Sequence, residues 1–339
     1  MNGMKVRNSM QAMVLYKPGA LLEYTTLPMP VPAYGQVLVK IIACGVCRTD
    51  IHIMDGELPH PQWPLIPGHE IVGTIIAIGQ GVLRLKEGDR IGIPWLAHTC
   101  GTCRYCRSDR ENLCEHAVFT GYTINGGYAT HTVAWEQYCY RLPDIYANAS
   151  GAPLLCAGLI GYRSYKMMGK SPERIGFYGF GAAAHLLIQV AVSEGKKVYV
   201  FTSPGDIETQ RFAMELGAVW ADDSLQAPPE QLDAGIIFAP HGPLVPKALA
   251  DLDKGGTVVC AGIHMSNIPS FKYDLLWEER ILRSVANLTR ADGDDYLKLA
   301  PNIPVKTSTQ SFKLHEANEA INALRNGKIH GAAVLVMEE

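Results

Sequence analysis

Four cysteines in one short stretch constrain the structure of this chain more than any other feature. In HTCGTCRYCRSDRENLC, two C-x2-C steps are followed by a fourth cysteine after a seven-residue gap. This spacing lets four thiolates surround one tetrahedral zinc ion and leaves no position open for a substrate, whereas four buried or disulfide-bonded thiols seldom show it. The polar residues between the thiols indicate an exposed lobe. We therefore predict a structural zinc site with the ligands Cys100, Cys103, Cys106 and Cys114.

A second group of metal-binding side chains lies earlier in the chain. A catalytic zinc commonly takes three protein ligands and keeps one position open, and two thiolates with one imidazole are one such combination. His69 in PGHE is a stronger candidate than a core histidine, because a carboxylate follows it and a Pro-Gly turn precedes it. Cys156 in PLLCAGLIGY is the best candidate for a remaining ligand, although it can also be read as a small core residue. The further candidates in this region are Cys44, Cys47, Asp50, His52 and Glu70.

Composition and charge favour a globular enzyme over other classes of protein. The 339 residues suit two domains, and 47% hydrophobic with 19% charged residues fit a large buried core. The mean hydropathy is near zero and the apolar stretches are too short for a bilayer, so we expect no membrane segment. A net charge of −3 gives no basic surface for nucleic acid. The start, MNGMKVRNSM, lacks the apolar region of a secretory signal, and nine cysteines without export indicate a reducing compartment, which predicts a cytoplasmic protein.

The predicted strands and helices divide the chain into three blocks. The first holds short β-type runs broken by glycine and proline. In the second, strands alternate with helices, including helices over 182–193 and 207–216, which is typical of βαβ units and a parallel sheet. The last block adds too few helices and strands for a third domain, so we expect its residues to return to the first domain. The predicted domains are residues 1–156 and 157–285, with the return over 286–339.

A glycine-rich loop in the second block predicts a dinucleotide site. Gly179 permits a tight turn, Gly181 lets the backbone approach a pyrophosphate, and Ala184 stands where a third glycine packs helix on strand. The pyrophosphate would lie at the helix N-terminus, beside Ala182, where N–H groups and the helix dipole favour an anion. The pattern is weak alone, but its place between a strand and a helix makes it specific.

Together these motifs resemble those of the zinc-dependent alcohol dehydrogenases of the medium-chain dehydrogenase/reductase superfamily. The resemblance covers essentially the whole chain and rests on ACGVCRTDIH, PLIPGHEIVG, GIPWLAHTCGTCRYC, PLLCAGLIGY and GFYGFGAAA, in the family's order. It implies an α/β protein with a mainly-β GroES-like catalytic domain and a Rossmann coenzyme domain built on a doubly wound parallel sheet. It also implies Cys47, His69 and Cys156 as catalytic zinc ligands and the four lobe cysteines as structural ones, hence two zinc ions per subunit.

The resemblance further implies roles around the catalytic zinc. Thr49 would hydrogen-bond the substrate oxygen and His52 would pass the proton to solvent. Asp50 and Glu70 would be carboxylates beside the zinc site, with Glu70 among the catalytic residues. Cys44 falls on a position that is not a ligand in the family.

The chemistry of these side chains is consistent with such roles. Zinc acts as a Lewis acid on an alcohol oxygen, and a nicotinamide accepts the hydride. A hydroxyl such as that of Thr49 donates and accepts at once, and an imidazole titrates near neutrality, although His52 can equally be a satisfied surface histidine. Arg48 is expected against the coenzyme pyrophosphate, or else is a solvated arginine. Trp95 follows the family's position for a wall of the substrate pocket and would favour slim primary alcohols.

The end of the second strand of the coenzyme domain predicts coenzyme preference. An acidic residue there would accept the ribose hydroxyls of NAD and repel the extra phosphate of NADP. This chain has Thr202 and Ser203 instead, and their hydroxyls can receive a phosphate, with Arg211 as a further candidate. The alternative is that Asp206 folds back to serve NAD. We predict NADP(H) in preference, with NAD(H) also used.

The predicted function is the interconversion of primary alcohols and aldehydes. An NADPH-dependent aldehyde reductase, the same chemistry in the opposite direction, is the first alternative. A non-catalytic zinc-binding relative is the second, and both zinc sets together with Thr49 argue against it. The expected partners are a small alcohol or aldehyde and further copies of the chain, as a homodimer or homotetramer, with neither nucleic acid nor membrane.

Overall fold

The computed structural model of the chain describes residues 8–59, 62–169, 171–329 and 331–338. Residues 1–7, on which the expectation about a secretory signal partly rests, lie outside this range. The strands are β1 (Ser9–Val14), β2 (Glu23–Pro28), β3 (Gln36–Val46), β4 (Glu70–Ile78), β5 (Arg90–Ile93), β6 (Leu96–His98), β7 (Val118–Phe119), β8 (His131–Trp135), β9 (Tyr140–Arg141), β10 (Arg174–Tyr178), β11 (Lys197–Thr202), β12 (Trp220–Asp223), β13 (Leu232–Ile237), β14 (Leu252–Cys260), β15 (Ile281–Ser284), β16 (Thr309–Lys313) and β17 (Ala332–Val336). The helices are α1 (Arg48–Met54), α2 (Ala157–Lys166), α3 (Ala182–Ser193), α4 (Ile207–Glu215), α5 (Leu244–Asp251), α6 (Arg290–Leu299) and α7 (Ala317–Arg325).

The chain forms two compact units, each with its own sheet. The first unit comprises residues 1–156, 289–297 and 307–339, and the second comprises residues 157–288 and 298–306. The last strand of the chain, β17, pairs with β3, so the end of the chain belongs to the first unit.

The first unit is built on a mainly antiparallel sheet with the strand order β16-β17-β3-β4-β5-β9, and β8 also pairs with β3. Apolar side chains of its central strands, such as Val37, Val39 and Ile71, are fully buried and form its core. Because β3 and β4 are antiparallel and Gly45 pairs with Glu70, the end of β3 and the start of β4 lie at the same edge. This pairing brings residues that follow β3 close to residues that precede β4.

The second unit is built on a six-stranded sheet with the order β12-β11-β10-β13-β14-β15, in which all neighbouring strands are parallel. In chain order this is 3-2-1-4-5-6, the arrangement of a doubly wound sheet. The central strands are buried almost completely, as expected for a parallel sheet covered on both faces. The predicted fold class is thus confirmed. The order reverses between β10 and β13, and ligands of such sheets bind beyond the carboxyl ends of the strands at this point.

Candidate metal centres and active site

The four cysteines of the lobe lie together between β6 and β7. Their sulfur atoms are all within 4.8 Å of one another. Cys103 and Cys106 are 3.5 Å apart, Cys100 and Cys114 are 3.5 Å apart, and Cys100 and Cys106 are 3.9 Å apart. Sulfurs about 2.3 Å from a central zinc would be about 3.8 Å apart in a tetrahedron, whereas a disulfide bond is about 2.05 Å long. The cluster therefore fits a four-coordinate zinc ion.

Backbone N–H groups point at these sulfurs. The N–H of Cys103 donates to Cys100 at 3.3 Å, and the N–H of His116 donates to Cys114 at 3.4 Å. Hydrogen bonds from Thr102, followed by that from Cys103, lower the pKa of Cys100 to about 5. Burial instead raises the pKa of Cys114 to about 11. The N–H donors stabilise anionic sulfur, which is the form that binds metal.

A second cluster of metal-binding groups lies at the shared edge of β3 and β4. Cys47 follows β3 and precedes α1, His69 directly precedes β4, and Cys156 follows the short helical segment Ala149–Leu155. One ligand atom from each of these residues and from Glu70 lies within 4.8 Å of all the others. The Cys47 and Cys156 sulfurs are 3.9 Å apart, again close to the tetrahedral spacing of about 3.8 Å. Two thiols, one imidazole and one carboxylate are a donor set that fits zinc.

The imidazole of His69 supports this fit. The residue is fully buried, and neither ring nitrogen has a hydrogen-bond partner within the described residues. An unpaired buried polar group is unfavourable in the free energy of folding. The Asp50 carboxylate lies 3.3 Å from Nδ1, which leaves Nε2 for a metal.

The charges of this cluster suit a cation. A hydrogen bond from Cys156, aided by His69, holds the pKa of Cys47 well below its usual range in spite of burial. The same hydrogen bond, together with burial, raises the pKa of Cys156 well above its usual range. Burial, then the charge of Cys47, raises the pKa of Glu70. Of the two thiols, Cys47 therefore loses its proton more readily, and a divalent cation would favour loss of the second proton.

Gly45 makes room for Glu70 in this cluster. A Cβ atom on Gly45 would lie 1.9 Å from Oε2 of Glu70. Only a residue without a side chain therefore lets the carboxylate turn toward the two sulfurs.

Several groups donate hydrogen bonds to the Asp50 carboxylate. It is fully buried, and its Oδ2 accepts from the N–H of Cys47 at 2.8 Å while its Oδ1 accepts from the N–H of Gly68 at 3.2 Å. The hydroxyl of Tyr128 donates to Oδ2 at 3.0 Å. The carboxylate was expected from the sequence, whereas Tyr128 was not.

The predicted relay residues lie on α1. Thr49 is buried, and its Oγ1 lies 3.7 Å from the sulfur of Cys47. His52 is one helical turn later, and its Nδ1 contacts the carboxylate of Glu57. The side chains of His52 and Glu57 are 12% and 45% exposed, so this pair lies at the surface. Arg48 is exposed, and its contact with a coenzyme stays a prediction.

Trp95 belongs to a group of three aromatic side chains beside His69, here called the aromatic wall (Trp95, Phe119 and Tyr122). The Trp95 ring lies edge-on to His69 at 4.9 Å and stacks on Phe119 at 5.3 Å and on Tyr122 at 5.5 Å. The sequence predicted only Trp95. Pairing of β6 with β7 brings Phe119 to it, and Tyr122 lies three residues after the end of β7.

The predicted coenzyme loop lies at the carboxyl end of β10. Gly179 has φ +94°, and a Cβ atom there would lie 2.9 Å from Ala239, so a side chain is excluded. Gly181 precedes α3, and a Cβ atom there would meet nothing within 4 Å. Ala182 begins α3, and Ala184 is fully buried as the packing position requires. The open space at Gly181 beside the helix N-terminus fits a pyrophosphate.

The turn between β11 and α4 carries the two predicted hydroxyl residues. Thr202 is buried, and its hydroxyl accepts from the amide of Gln210 at 3.0 Å. Ser203 is exposed. The two hydroxyls therefore differ in accessibility.

Two carboxylates lie near this turn. Asp206 caps α4 by accepting from the N–H of Thr209 at 3.1 Å. Asp223 pairs with Thr202 across β11 and β12 and accepts from the N–H of Gly205 at 2.9 Å. The sequence did not predict Asp223 at this turn, because the pairing of β11 with β12 brings it there.

The chain is similar to known alcohol dehydrogenases. Residues 33–144 match the family model of the alcohol dehydrogenase GroES-like domain. A probable alcohol dehydrogenase, AdhA, of Mycobacterium tuberculosis is 42% identical over 97% of this chain and 98% of its own length. A solved cinnamyl alcohol dehydrogenase of Sorghum bicolor has a TM-score of 0.88 at 25% identity and covers 98% of this chain and 99% of its own. An acetophenone reductase of Geotrichum candidum, solved in complex with NAD, has a TM-score of 0.88 at 26% identity and covers 98% of both chains.

A doubly wound sheet with a glycine loop, together with a GroES-like domain that carries two clusters of metal-binding side chains, defines a medium-chain dehydrogenase/reductase. Within that class, the chain belongs to the zinc-type alcohol dehydrogenase family. It is an oxidoreductase that acts on alcohols. Among the described residues, no helix combines the length and apolar character needed to cross a membrane.

Proposed function

We propose that this enzyme interconverts primary alcohols and aldehydes, with zinc at the cluster of Cys47, His69 and Cys156. The observation that carries the proposal is the cluster itself, in which His69 and Glu70 are buried and Thr49 lies 3.7 Å from the sulfur of Cys47. We propose a second, structural zinc held by the four lobe cysteines. When bound, the catalytic zinc supplies a Lewis acid that lowers the pKa of an alcohol, and the nicotinamide supplies the hydride acceptor.

Thr49 and His52 handle the proton in this proposal. The Thr49 hydroxyl accepts the proton of the substrate hydroxyl and gives up its own. One hydroxyl can do both because it accepts and donates hydrogen bonds at the same time. Residues three apart on a helix lie on the same side, so His52 is the group that accepts the proton from Thr49. Its contact with Glu57 orients the imidazole, and exposure of this pair gives the proton access to solvent.

Glu70 has a supporting role. Its carboxylate lies within 4.8 Å of the three proposed ligands, and burial keeps its pKa high. We assign it to the catalytic residues as a carboxyl group beside the ligands, where a bound cation would favour its ionised form.

The second unit is proposed to bind the coenzyme, with the pyrophosphate on Gly179, Gly181, Ala182 and Ala184. We propose NADP(H) as the preferred coenzyme, with NAD(H) also used. Three observations support this choice. Ser203 is exposed, Asp206 is engaged as a helix cap, and Asp223 is engaged by the N–H of Gly205.

The aromatic wall defines the proposed substrate class. Flat apolar rings next to His69 favour a substrate with an apolar or aromatic tail and a slim carbinol end. The name of one structural neighbour, a cinnamyl alcohol dehydrogenase, agrees with an aromatic primary alcohol. The name of another, an acetophenone reductase, agrees with the aromatic tail but refers to a ketone. An aldehyde reductase running in the opposite direction uses the same site and is the second candidate.

A homodimer or homotetramer is proposed as the assembled form. β15 is an edge of the parallel sheet, and Ile281 on it and Trp277 before it are 49% and 58% exposed. An exposed apolar edge strand is a surface for a second copy. A cytoplasmic location is proposed because none of the nine cysteines, all within the described residues, forms a disulfide bond.

A panel of initial rates tests the function. Primary and secondary alcohols and their carbonyl products, with aliphatic and aromatic tails, are assayed with NAD(H) and with NADP(H). We expect the highest kcat/KM for primary substrates with apolar tails. A preference for secondary alcohols would contradict the proposed substrate class, and no turnover with any member would contradict the proposed reaction.

A further inference from the structure

Tyr128 lies on the far side of Asp50 from His69. The tyrosine is fully buried and is the last residue of the stretch Asn125–Tyr128, which precedes β8. Its hydroxyl donates to Oδ2 of Asp50 at 3.0 Å, while Oδ1 of the same carboxylate lies 3.3 Å from Nδ1 of His69. The three side chains thus form a chain of contacts from phenol to carboxylate to imidazole.

The backbone around Tyr128 holds the segment that carries His69. The N–H of Gly126 donates to Ile66 at 2.7 Å, and the N–H of Tyr128 donates to Pro67 at 2.9 Å. The close approach needs glycine, since a Cβ atom on Gly126 would lie 2.1 Å from the carbonyl oxygen of Gly68. The tyrosine is therefore fixed relative to the turn before His69.

The ring of Tyr128 has little freedom to move. It packs over Gly68, where a Cβ atom would lie 2.3 Å from ring atom Cδ1. Burial and the nearby Asp50 charge raise the pKa of Tyr128 well above its usual range, so the phenol stays a hydrogen-bond donor. Among the contacts of the described residues, Asp50 otherwise accepts from the backbone N–H groups of Cys47 and Gly68.

We infer that Tyr128 is a positioning residue for the catalytic metal, because it holds the Asp50 carboxylate against Nδ1 of His69 and so presents Nε2 to the metal. The inference rests on the proposed zinc site. Groups that hydrogen-bond a metal ligand or its partner commonly change metal affinity by about 10- to 100-fold when removed.

The test is zinc affinity in Tyr128→Phe, measured by competition with a chromophoric chelator on the full chain. The phenyl ring keeps the packing and only the hydroxyl is lost. We expect one of two zinc ions to be released at about tenfold lower chelator concentration than in the wild type, with the lobe zinc unchanged. With cobalt in the catalytic site, we expect the visible absorption band to shift.

Tyr178→Phe is the matched control. Tyr178 is also fully buried and donates to a buried carboxylate, that of Asp251, at 2.7 Å, but it lies in the second unit. Loss of this hydroxyl should lower the melting temperature and leave zinc release unchanged. A general effect of removing a buried tyrosine hydroxyl would instead appear in both variants.

A double-mutant cycle with Asp50→Asn tests the pathway. If Tyr128 acts through Asp50, Tyr128→Phe should change zinc affinity far less in the Asp50→Asn background. Wild-type zinc affinity in a folded Tyr128→Phe protein, or full additivity of the two variants, would overturn the inference. A wild-type protein that binds zinc only in the lobe would instead contradict the proposed function, and the inference with it.

Discussion

Thr49 is the residue whose single substitution should affect the proposed chemistry most. We predict that Thr49→Ala lowers kcat by about 10²- to 10⁴-fold, because a positioned proton-transfer group is worth that much. His52→Ala should cost less, since His52 lies near the surface and water can take its place. Steady-state kinetics on one primary alcohol is the measurement. Thr49→Ser, which keeps the hydroxyl, is the control, and a fully active Thr49→Ala enzyme would rule out the relay.

The residues of the two clusters could be predicted from the sequence at this scale, whereas their neighbours could not. Cys47 and His69 stand in recognisable motifs, in which the residue types and their spacing indicate metal binding. Tyr128, Phe119 and Glu57 carry no such signal, because they reach the site through strand pairing and turns that spacing alone does not specify.

Among the elements, the lobe between β6 and β7 is proposed to depend on its metal for structure. We predict that Cys103→Ala lowers the melting temperature by at least roughly 5 °C, because a structural zinc contributes directly to folding and about 2 kcal/mol corresponds to such a shift. Differential scanning calorimetry is the measurement. Cys260→Ala, which removes a half-buried thiol of the second unit, is the control. Unchanged melting of Cys103→Ala with loss of activity alone would reverse the roles proposed for the two clusters.

The turn between β11 and α4 is the element expected to select the coenzyme. We predict that Ser203→Asp raises the ratio of kcat/KM for NAD over NADP by about 10- to 100-fold, because a carboxylate there accepts ribose hydroxyls and repels a phosphate. Both coenzymes are compared on one substrate, with Ser203→Asn as a neutral control of similar size. A wild-type enzyme that strongly prefers NAD, with a ratio unchanged in Ser203→Asp, would contradict the proposed NADP(H) preference.

The elements themselves followed closely from the sequence. The helix predicted over 182–193 is α3 (Ala182–Ser193), and that predicted over 207–216 is α4 (Ile207–Glu215), because glycine, a helix-capping aspartate and alternating strands mark them clearly. The pairing of Asp223 with Thr202 was not predicted, since it depends on which strand lies beside β11.

For the whole molecule, the class was predictable because several independent motifs occur in one order along the chain. Pairing of β17 with β3 joins the last strand of the chain to the sheet of the first unit. Substrate choice was less predictable, since the aromatic wall is assembled from residues that are distant in sequence.

Zinc content per chain, measured by atomic emission together with turnover, tests the central claim most directly. We predict two zinc ions in the active wild type and one in an inactive Cys47→Ala protein of nearly unchanged melting temperature. Cys44→Ala, which removes a buried neighbouring thiol outside the cluster, should keep both ions. One or no zinc in wild-type protein purified without chelators, or full activity in Cys47→Ala, would contradict the account.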